Sequence, residues 1–231
     1  TELPNAADIT EIEIFLNGKR LTLSTKNNKE YLKSLNLKTG ELNRSFIYLD
    51  DDYNEYKVSS KRFVSQDRLH VIVNSMKITP LSANSKIEFR SGINGQVTNT
   101  GSQHFNEGEK RIHDYKYIEM LQETSQSKIM FVQNTTHNIY IGDNKIENKP
   151  KLSIDRRRVS VSDEYQIEKN QTLVIEKISN IYTTRDIDSE NLSLNQIRDK
   201  ALNEIKKISS MTYNMLLECN EKVWRKYWEE Q

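Results

Sequence analysis

Apolar and polar residues alternate along the chain from Ile9 to about Asp186, and short groups of turn residues interrupt the alternation. A period of two is typical of half-buried strands in an antiparallel sheet. Because no helical segment separates these strands, we expect stacked antiparallel sheets and not a parallel α/β fold. The predicted strands are Glu11–Leu16, Arg20–Ser24, Leu32–Leu37, Arg44–Leu49, Tyr56–Phe63, Leu69–Ile78, Lys86–Arg90, Gln96–Asn99, Tyr115–Glu123, Lys128–Gln133, Asn138–Ile141, Arg158–Ile167 and Thr172–Thr183.

Turn residues predict how some of these strands connect. Asn17-Gly18 is the pair best able to hold positive φ at both central positions of a type I′ turn, so it predicts a tight hairpin. Asn94-Gly95 predicts a second hairpin, with a longer loop, between Lys86–Arg90 and Gln96–Asn99. Residues 100–111 and 143–155 are rich in glycine, proline or charge, and both segments are predicted to be loops.

The pattern becomes helical after Asp188. Ser193 and Gln196 have the spacing of a capping box, which marks a helix start. Trp224 and Trp228 lie four residues apart and therefore on one helical face, which needs a large apolar partner. That partner is either the sheet or a domain outside this chain. Two apolar stripes at helical spacing, divided at Ser209-Ser210, predict two helices: Ile197, Ala201, Ile205 and Ile208, then Leu216, Cys219, Val223 and Tyr227.

Composition narrows the function classes. The chain has 231 residues, enough for one large all-β domain or two small ones, and 35% of them are hydrophobic. The 34 Lys and Arg residues nearly balance the 33 Asp and Glu residues, so the net charge of +1 indicates neither nucleic acid nor an anionic membrane as a partner.

No apolar run reaches the roughly 18 residues of a membrane span. Because Cys219 is the single cysteine, the chain has no internal disulfide, which is consistent with a reducing compartment such as the cytoplasm. Because the numbering starts at Thr1, we expect an excised piece.

Several segments, in order along the chain, carry a resemblance to a known family. They are Glu2–Asn5, Leu35–Gly40, Phe46–Tyr48, Arg62–His70, Met76–Pro80, Gly92–Asn99, Val174–Lys177, Tyr182–Asp186, and Tyr213–Leu217 with Trp224 and Trp228. Together they resemble the N-terminal domain of glycoside hydrolase family 65, whose members are mostly inverting phosphorylases of α-glucosyl disaccharides. One departure is visible: Asn220 stands where the resemblance predicts a histidine, four residues before the first tryptophan.

The resemblance implies a fold and a division of the chain. Residues 1–188 would form a large antiparallel β-sandwich, a galactose-mutarotase-like supersandwich. Residues 189–231 would form an α-helical linker toward an (α/α)6 barrel beyond Gln231. In the family, the general acid and the phosphate-binding residues lie on the barrel. The resemblance therefore implies no catalytic, cofactor-binding or metal-binding residue in this chain, and we expect it to form no glucose 1-phosphate alone.

For the parent protein, the resemblance implies a cytoplasmic glycoside phosphorylase that uses an α-glucosyl disaccharide and inorganic phosphate. Kojibiose is the preferred substrate candidate, with maltose and trehalose as others, although no residue here selects it. The domain would pack on the barrel through Trp224 and Trp228, and a homodimer stays open. One alternative is a hydrolase of the same family, for example a trehalase-like enzyme. Another is a free-standing carbohydrate-binding or interaction module.

Each residue that could have a binding or catalytic function also has an ordinary structural explanation. His104, Phe105, Tyr115 and Tyr117 would form a sugar-stacking rim of the barrel's cleft, although aromatic residues two apart on a strand more often face a core. The carboxylates of Glu176 and Asp186 each neighbour a basic residue, but strand neighbours point to opposite faces, so neither is assigned catalysis.

Neither the histidines nor the arginine cluster is predicted to form a binding site. The four histidines, His70, His104, His113 and His137, lack the spacing of a zinc site. The basic cluster Arg156-Arg157-Arg158 is flanked by Asp155, Asp163 and Glu164. It therefore indicates a solvated strand start more than a phosphate or RNA site.

Overall fold

The computed structural model describes residues 3–147 and 149–230. A 3-10 helix spans Ile187–Ser189, and two α-helices follow, α1 (Leu194–Ile208) and α2 (Tyr213–Glu229). The strands are β1 (Ile12–Leu16), β2 (Lys19–Arg20), β3 (Asn28–Asn36), β4 (Glu41–Leu49), β5 (Glu55–Val64), β6 (Val71–Pro80), β7 (Ser85–Asn94), β8 (Lys110–His113), β9 (Tyr117–Glu123), β10 (Met130–Ile141), β11 (Asn144–Ile146), β12 (Lys151–Asp155), β13 (Arg158–Ile167) and β14 (Leu173–Thr183).

The strands form two antiparallel sheets, and the helices add a third layer. The small sheet has the order β12-β13-β7-β1-β2, and the large sheet has the order β3-β4-β5-β6-β14-β10-β9-β8, with β11 paired to β10. The main core lies between the two sheets, whereas α1 and α2 pack on the outer face of the large sheet. The predicted β-sandwich with C-terminal helices is confirmed.

Strand β14 shows why the large sheet needs apolar residues on both faces. Leu173 and Ile175 belong to the core between the sheets, whereas Ile178 and Tyr182 pack against the helices. A central strand that is covered on both sides can carry apolar residues at consecutive positions, and both ends of this strand do. Its middle contains the polar residues Glu176, Lys177, Ser179 and Asn180. Its neighbours β6 and β10 complete the middle of the sheet.

The predicted local signals at Asn17-Gly18 and Ser193 are confirmed. Asn17 and Gly18 have φ values of 49° and 85°, and Leu16 pairs with Lys19 across this two-residue turn. The side chain of Ser193 accepts from the Gln196 N–H, and the side chain of Gln196 accepts from the Ser193 N–H. The first helical stripe is also confirmed, because its four members are buried: Ile197, Ala201, Ile205 and Ile208.

The second predicted hairpin, at Asn94-Gly95, is wrong. Strand β7 pairs with β1 and β13, and Gln96–Asn99 forms no strand. The side chain of Gln103 donates to the Gly95 and Val97 carbonyls, at 3.1 and 3.2 Å, so a side chain takes the place of a partner strand. The Asn-Gly pair gave the correct turn signal in only one of its two occurrences.

The predicted loops at residues 100–111 and 143–155 are wrong in part, because β8 begins at Lys110 and the second segment contains β11 and β12. All residues of β12 are exposed, so this edge strand lacks a buried face whose alternation could be read. The strands predicted at Lys128–Gln133 and Asn138–Ile141 are one strand, β10. Buried polar residues in its middle, such as Asn134 and Thr135, conceal its continuity.

The helices are tied to the large sheet by amide side chains as well as by apolar packing. Asn180 on β14 donates to the Ala201 carbonyl at 2.8 Å, and Asn138 on β10 donates to the Ser209 carbonyl at 2.9 Å. The second bond satisfies a carbonyl at the end of α1 that has no partner within the helix. Neither described α-helix combines the length and the apolar character that crossing a bilayer requires.

Candidate functional site

The start of α2 is seated on the large sheet by an aromatic residue. Tyr213 packs edge-on against Phe63, with ring centroids 5.3 Å apart, and its hydroxyl donates to Glu41 Oε1 at 2.9 Å. Burial, and then the nearby Glu41 carboxylate, raise the pKa of Tyr213 well above its usual value. The phenol therefore remains a neutral donor that holds the helix to β4.

Asn220 fixes the middle of α2 to two loops of the sandwich. Its side chain is fully buried, accepts from the Gln66 N–H at 2.8 Å and donates to the Thr39 carbonyl at 2.8 Å. A neutral imidazole also offers one acceptor and one donor, on its two ring nitrogens. Asn220 can therefore make the same two hydrogen bonds as the histidine that the resemblance predicts at this position.

Trp224 lies one turn further along α2, above the turn between β3 and β4. A Cβ added to Gly40 in that turn would lie 3.0 Å from the indole Nε1, and Gly40 has a φ of 70°. The indole N–H is buried and has no hydrogen-bond partner among the described residues. Gly40 therefore lets the indole approach its backbone closely.

The last turns of α2 leave apolar surface exposed. Trp228 is 49% exposed and Tyr227 is 53% exposed, whereas Trp224 is partly covered. On the β3–β4 hairpin, Leu35 and Leu37 are 55% and 67% exposed. We call Tyr227 and Trp228 the α2 tip. The structure thus separates the two tryptophans, because one contacts the sandwich and the other faces outward.

The predicted second stripe, on α2, is wrong in part: Leu216 is buried, but the other three members are not. The buried residues of this helix are Tyr213, Leu216 and Asn220, whereas Cys219 is only partly buried and Tyr227 is exposed. Cys219 is therefore not the buried small hydrophobe that its position in the stripe suggested. An asparagine in the buried row reads as polar in the sequence, which moved the predicted face by one position.

The structure does not bring the four predicted rim residues together. Phe105 is 3% exposed and packs edge-on against Phe131, so its ring offers no face to a sugar. Tyr117 packs with the helix cluster, and its hydroxyl lies 3.0 Å from Ser209 Oγ. His104 is partly buried, and its carbonyl accepts from the Ser125 N–H.

Tyr115 is the rim candidate with a free ring. It is 87% exposed, has a φ of 54° and lies in the turn before β9, not on that strand. It borders a cavity of about 560 Å³ between the two sheets. Phe89, His137 and Val161 also line this cavity. The rim role of these residues stays a prediction.

The pair His137 and Lys177, between the two sheets, was not predicted as a feature of the site. His137 Nε2 lies 2.9 Å from Ser91 Oγ, and burial, followed by the charge of Lys177, lowers the pKa of His137 to about 3. Lys177 donates to the Glu11 and Gly92 carbonyls at 3.0 and 2.7 Å. The signal in the sequence was a lysine within the apolar run of β14.

Burial also sets the charge of Lys177. It lowers the pKa of Lys177 to about 7, although Asp8 and Glu11 oppose this shift and Arg158 adds to it. The lysine ties the segment before β1 to β7 and β14, between the two sheets. We assign it a structural role because no described carboxylate forms an ion pair with it.

The carboxylates considered in the sequence have structural partners. Asp186 accepts from the N–H and the hydroxyl of Thr183, which closes the turn after β14. Glu176 is 8% exposed, and burial raises its pKa although the backbone of Tyr213 opposes the shift. Both residues therefore shape the contact between the sheet and the C-terminal segment.

One group of possible metal ligands is found in the described part of the chain, at His70, Asp186 and Asp188. His70 Nδ1 lies 2.9 Å from the Ile181 carbonyl and Nε2 lies 3.1 Å from Asp188, while Lys200 contacts the same carboxylate at 2.7 Å. Both ring nitrogens thus lie within hydrogen-bond distance of oxygen atoms of the protein. We interpret the group as an ion-pair network.

The basic cluster at 156–158 forms the turn between β12 and β13. Arg158 contacts Glu13 at 2.6 Å and Arg156 lies 3.6 Å from Glu107. Arg157 has a φ of 56°, and its carbonyl accepts from the Gly95 N–H. Two of the three arginines thus have carboxylate partners.

Comparison with known proteins identifies the family of this chain. The sequence description of the glycosyl hydrolase family 65 N-terminal domain matches residues 1–227. The chain belongs to this family. It is the family's N-terminal domain that matches.

Named relatives include phosphorylases. A kojibiose phosphorylase from Halothermothrix orenii is 32% identical over 99% of this chain and 30% of its own length. A kojibiose phosphorylase from Escherichia coli is 25% identical over 100% of this chain and 29% of its length. An α,α-trehalose phosphorylase from Thermoanaerobacter brockii is 25% identical over 98% of the chain and 30% of its length.

A solved structure shows the same fold. The protein named "Putative kojibiose phosphorylase from human microbiome" superposes with a TM-score of 0.82 at 18% identity, and the match covers 96% of this chain and 28% of that one. This family 65 chain therefore spans less than a third of the length of these relatives, which are multidomain proteins.

Proposed function

We propose that the chain is the non-catalytic N-terminal domain of an inverting glycoside phosphorylase that cleaves an α-glucosyl disaccharide with inorganic phosphate, kojibiose being the preferred candidate. Family membership and the named phosphorylase relatives support this proposal. The parent would be cytoplasmic, in keeping with the free Cys219. The catalytic barrel would follow in the same chain.

The exposure of the α2 tip is the main support for a role in docking to the catalytic barrel. Tyr213 and Asn220 anchor the first part of α2, but Tyr227 and Trp228 remain about half exposed. An aromatic side chain buries roughly 150–250 Å² when it is covered, so two of them provide a substantial apolar contact. Because these hydrogen bonds seat α2 on the sandwich, the tip would present its rings in a defined position to the barrel.

The docking role is tested by the variant Tyr227→Ser/Trp228→Ser in the parent protein. We expect the melting temperature of the barrel to fall, while the melting temperature of the isolated 231-residue chain stays within about 2 °C, since both rings are already exposed there. Lys222→Ser, at an exposed position of the same helix, is the matched control. Equal melting curves for the parent and the double variant would refute docking through the tip.

Phosphorolysis is tested against hydrolysis by measuring cleavage of kojibiose, trehalose and maltose by the parent with and without phosphate. An inverting phosphorylase uses phosphate as the nucleophile in place of base-activated water, so cleavage should depend on phosphate and release glucose 1-phosphate. Equal rates without phosphate, with free glucose as the product, would favour the hydrolase alternative.

A free-standing carbohydrate-binding module is the second candidate, and the exposed ring of Tyr115 beside the cavity of about 560 Å³ favours it. An exposed aromatic face is suited to stacking on a sugar ring. Titration of the isolated chain with the three disaccharides tests it. Millimolar or tighter binding that is lost in Tyr115→Ala would support the module, whereas no binding would support the scaffold role.

A further inference from the structure

A basic groove lies on the inner face of the large sheet, next to the segment that leads into β1. The cavity has a volume of about 300 Å³ and contains side chains from four neighbouring strands, β3 to β6. Its lining includes Thr10, Lys33, Arg44, Ser60, Arg62 and Asn74. Phe46 belongs to the core between the sheets, and Arg44 lies two residues before it on the same face of β4.

The strand register places like charges opposite each other in this groove. Lys33 pairs with Arg44 across β3 and β4, and Arg62 pairs with Asn74 across β5 and β6. Arg44 pairs with Ser60, which precedes Arg62 by two residues and therefore shares its face. Like charges directly opposite each other destabilise a sheet unless an anion lies between them.

The donors in this groove lack acceptors. Asn74 is 6% exposed, and its Nδ2 atom is buried without a hydrogen-bond partner among the described residues. The Nε atom of Arg44 is buried without one as well, although the guanidinium lies 5.6 Å from the centre of the Phe46 ring. Buried donors are nearly always paired in folded proteins, so these two indicate an absent acceptor.

Two acidic residues, Asp8 and Glu11, also line the groove, and both have other partners. Asp8 Oδ1 accepts from the Thr10 N–H, the Thr10 hydroxyl and the Glu11 N–H. Glu11 lies 3.5 Å from Arg158 and 3.8 Å from Arg20, on the side of the small sheet. In the described part of the chain, no carboxylate forms an ion pair with Lys33, Arg44 or Arg62.

We propose that this groove binds a phosphate oxyanion, either free or carried by a sugar. Guanidinium groups match phosphate oxygens in a bidentate geometry, and the Asn74 amide and Ser60 hydroxyl add neutral donors. A cavity of about 300 Å³ exceeds the needs of inorganic phosphate and leaves room for a hexose ring. The proposal depends on the groove alone, so the outcome of the phosphorolysis assay does not decide it.

Calorimetric titration of the 231-residue chain tests the proposal at constant ionic strength, with inorganic phosphate, β-glucose 1-phosphate and glucose as probes. We expect both phosphates to bind and glucose alone not to bind. If the sugar phosphate binds more tightly than inorganic phosphate, the ligand of the groove is a phosphate carried by a sugar. If the two bind equally, the ligand is the free anion. Arg44→Gln and Arg62→Gln should each weaken binding at least tenfold, whereas Arg156→Gln, the same charge change at an exposed turn, should change it less than twofold.

A melting curve of each variant separates a ligand role from a structural one. Phosphate should raise the melting temperature of the wild-type chain and of Arg156→Gln, and this rise should disappear in Arg44→Gln. Without phosphate, Arg44→Gln should melt no lower than wild type, because it removes a like-charge pair. Absence of phosphate binding, equal affinity in the three variants, or a phosphate-independent loss of stability in Arg44→Gln would each overturn the proposal.

Discussion

At the scale of the residue, a buried lysine makes stability depend on pH. Lys177 lies between the two sheets, and burial lowers its pKa from the ordinary value of 10.5 to about 7. Between pH 7 and 10.5 the unfolded chain holds this proton and the folded chain does not. The free energy of unfolding should therefore rise with pH in this window by up to about 1.4 kcal/mol per pH unit.

The variant Lys177→Met tests this dependence, because it removes the titrating group. Urea unfolding between pH 7 and 9 should show wild-type stability increasing with pH relative to the variant, while Lys151→Met, at an exposed strand position, should follow the wild type. Parallel curves for the wild type and Lys177→Met would show that the lysine does not lose its proton on folding in this range.

A second prediction at this scale concerns Asn220. Asn220→Ala leaves the Gln66 N–H and the Thr39 carbonyl without their protein partner, so we expect a loss of about 2 kcal/mol in the free energy of unfolding. Asn220→His should recover much of this loss, since a neutral imidazole can make both bonds.

Chemical unfolding followed by tryptophan fluorescence measures both Asn220 variants. Asn214→Ala, at an exposed position of the same helix, is the control and should change stability little. A histidine variant no more stable than the alanine variant would contradict the pairing argument.

At the scale of the element, the contact between α2 and the β3–β4 turn depends on a glycine. Gly40 and Gly142 both have positive φ, 70° and 59°, but only the Cβ added at Gly40 would meet a neighbour, Trp224, within 4 Å. Gly142→Ala should cost about 1 kcal/mol for its backbone conformation alone. Gly40→Ala should cost about 2 kcal/mol or more, because the indole must also move.

Thermal unfolding of the two glycine variants provides the comparison. Gly40→Ala should also shift the fluorescence maximum of Trp224 relative to wild type, and Gly142→Ala should not. Equal losses of stability without a spectral change would show that Trp224 does not depend on the close approach to Gly40.

The elements themselves were predictable where one face is buried and the other is solvated. The Asn17-Gly18 turn and the first stripe of α1 follow from local signals alone, and both are observed. Strand β12 and the middle of β10 were not predictable, because the first has no buried face and the second buries hydrogen-bonded polar residues. The pattern of apolar and polar residues therefore reveals neither β12 nor the continuity of β10.

The candidate site was less predictable than the fold because it depends on contacts between distant residues. Trp224 and Trp228 share a helical face, but the position of Gly40 decides which of them is covered. Arg44 and Asn74 are thirty residues apart in sequence, and only the pairing of β4, β5 and β6 places them in one groove. Strand register is set by the whole sheet, and the sequence of one strand does not contain it.

At the scale of the whole molecule, the chain is a three-layer domain of the family 65 N-terminal type whose relatives are about three times as long. Two buried hydrogen-bond anchors, Tyr213 and Asn220, fix α2 on the sandwich and hold its exposed tip in place. This arrangement suits a scaffold for a following catalytic domain, and we propose that activity resides in that domain.

The most direct test of the account is the formation of glucose 1-phosphate from kojibiose and inorganic phosphate by the purified 231-residue chain, measured beside the parent protein at equal molar concentration. We predict phosphate-dependent product from the parent and none above the blank from the chain. Product formed by the chain alone, at a rate proportional to its concentration, would contradict it.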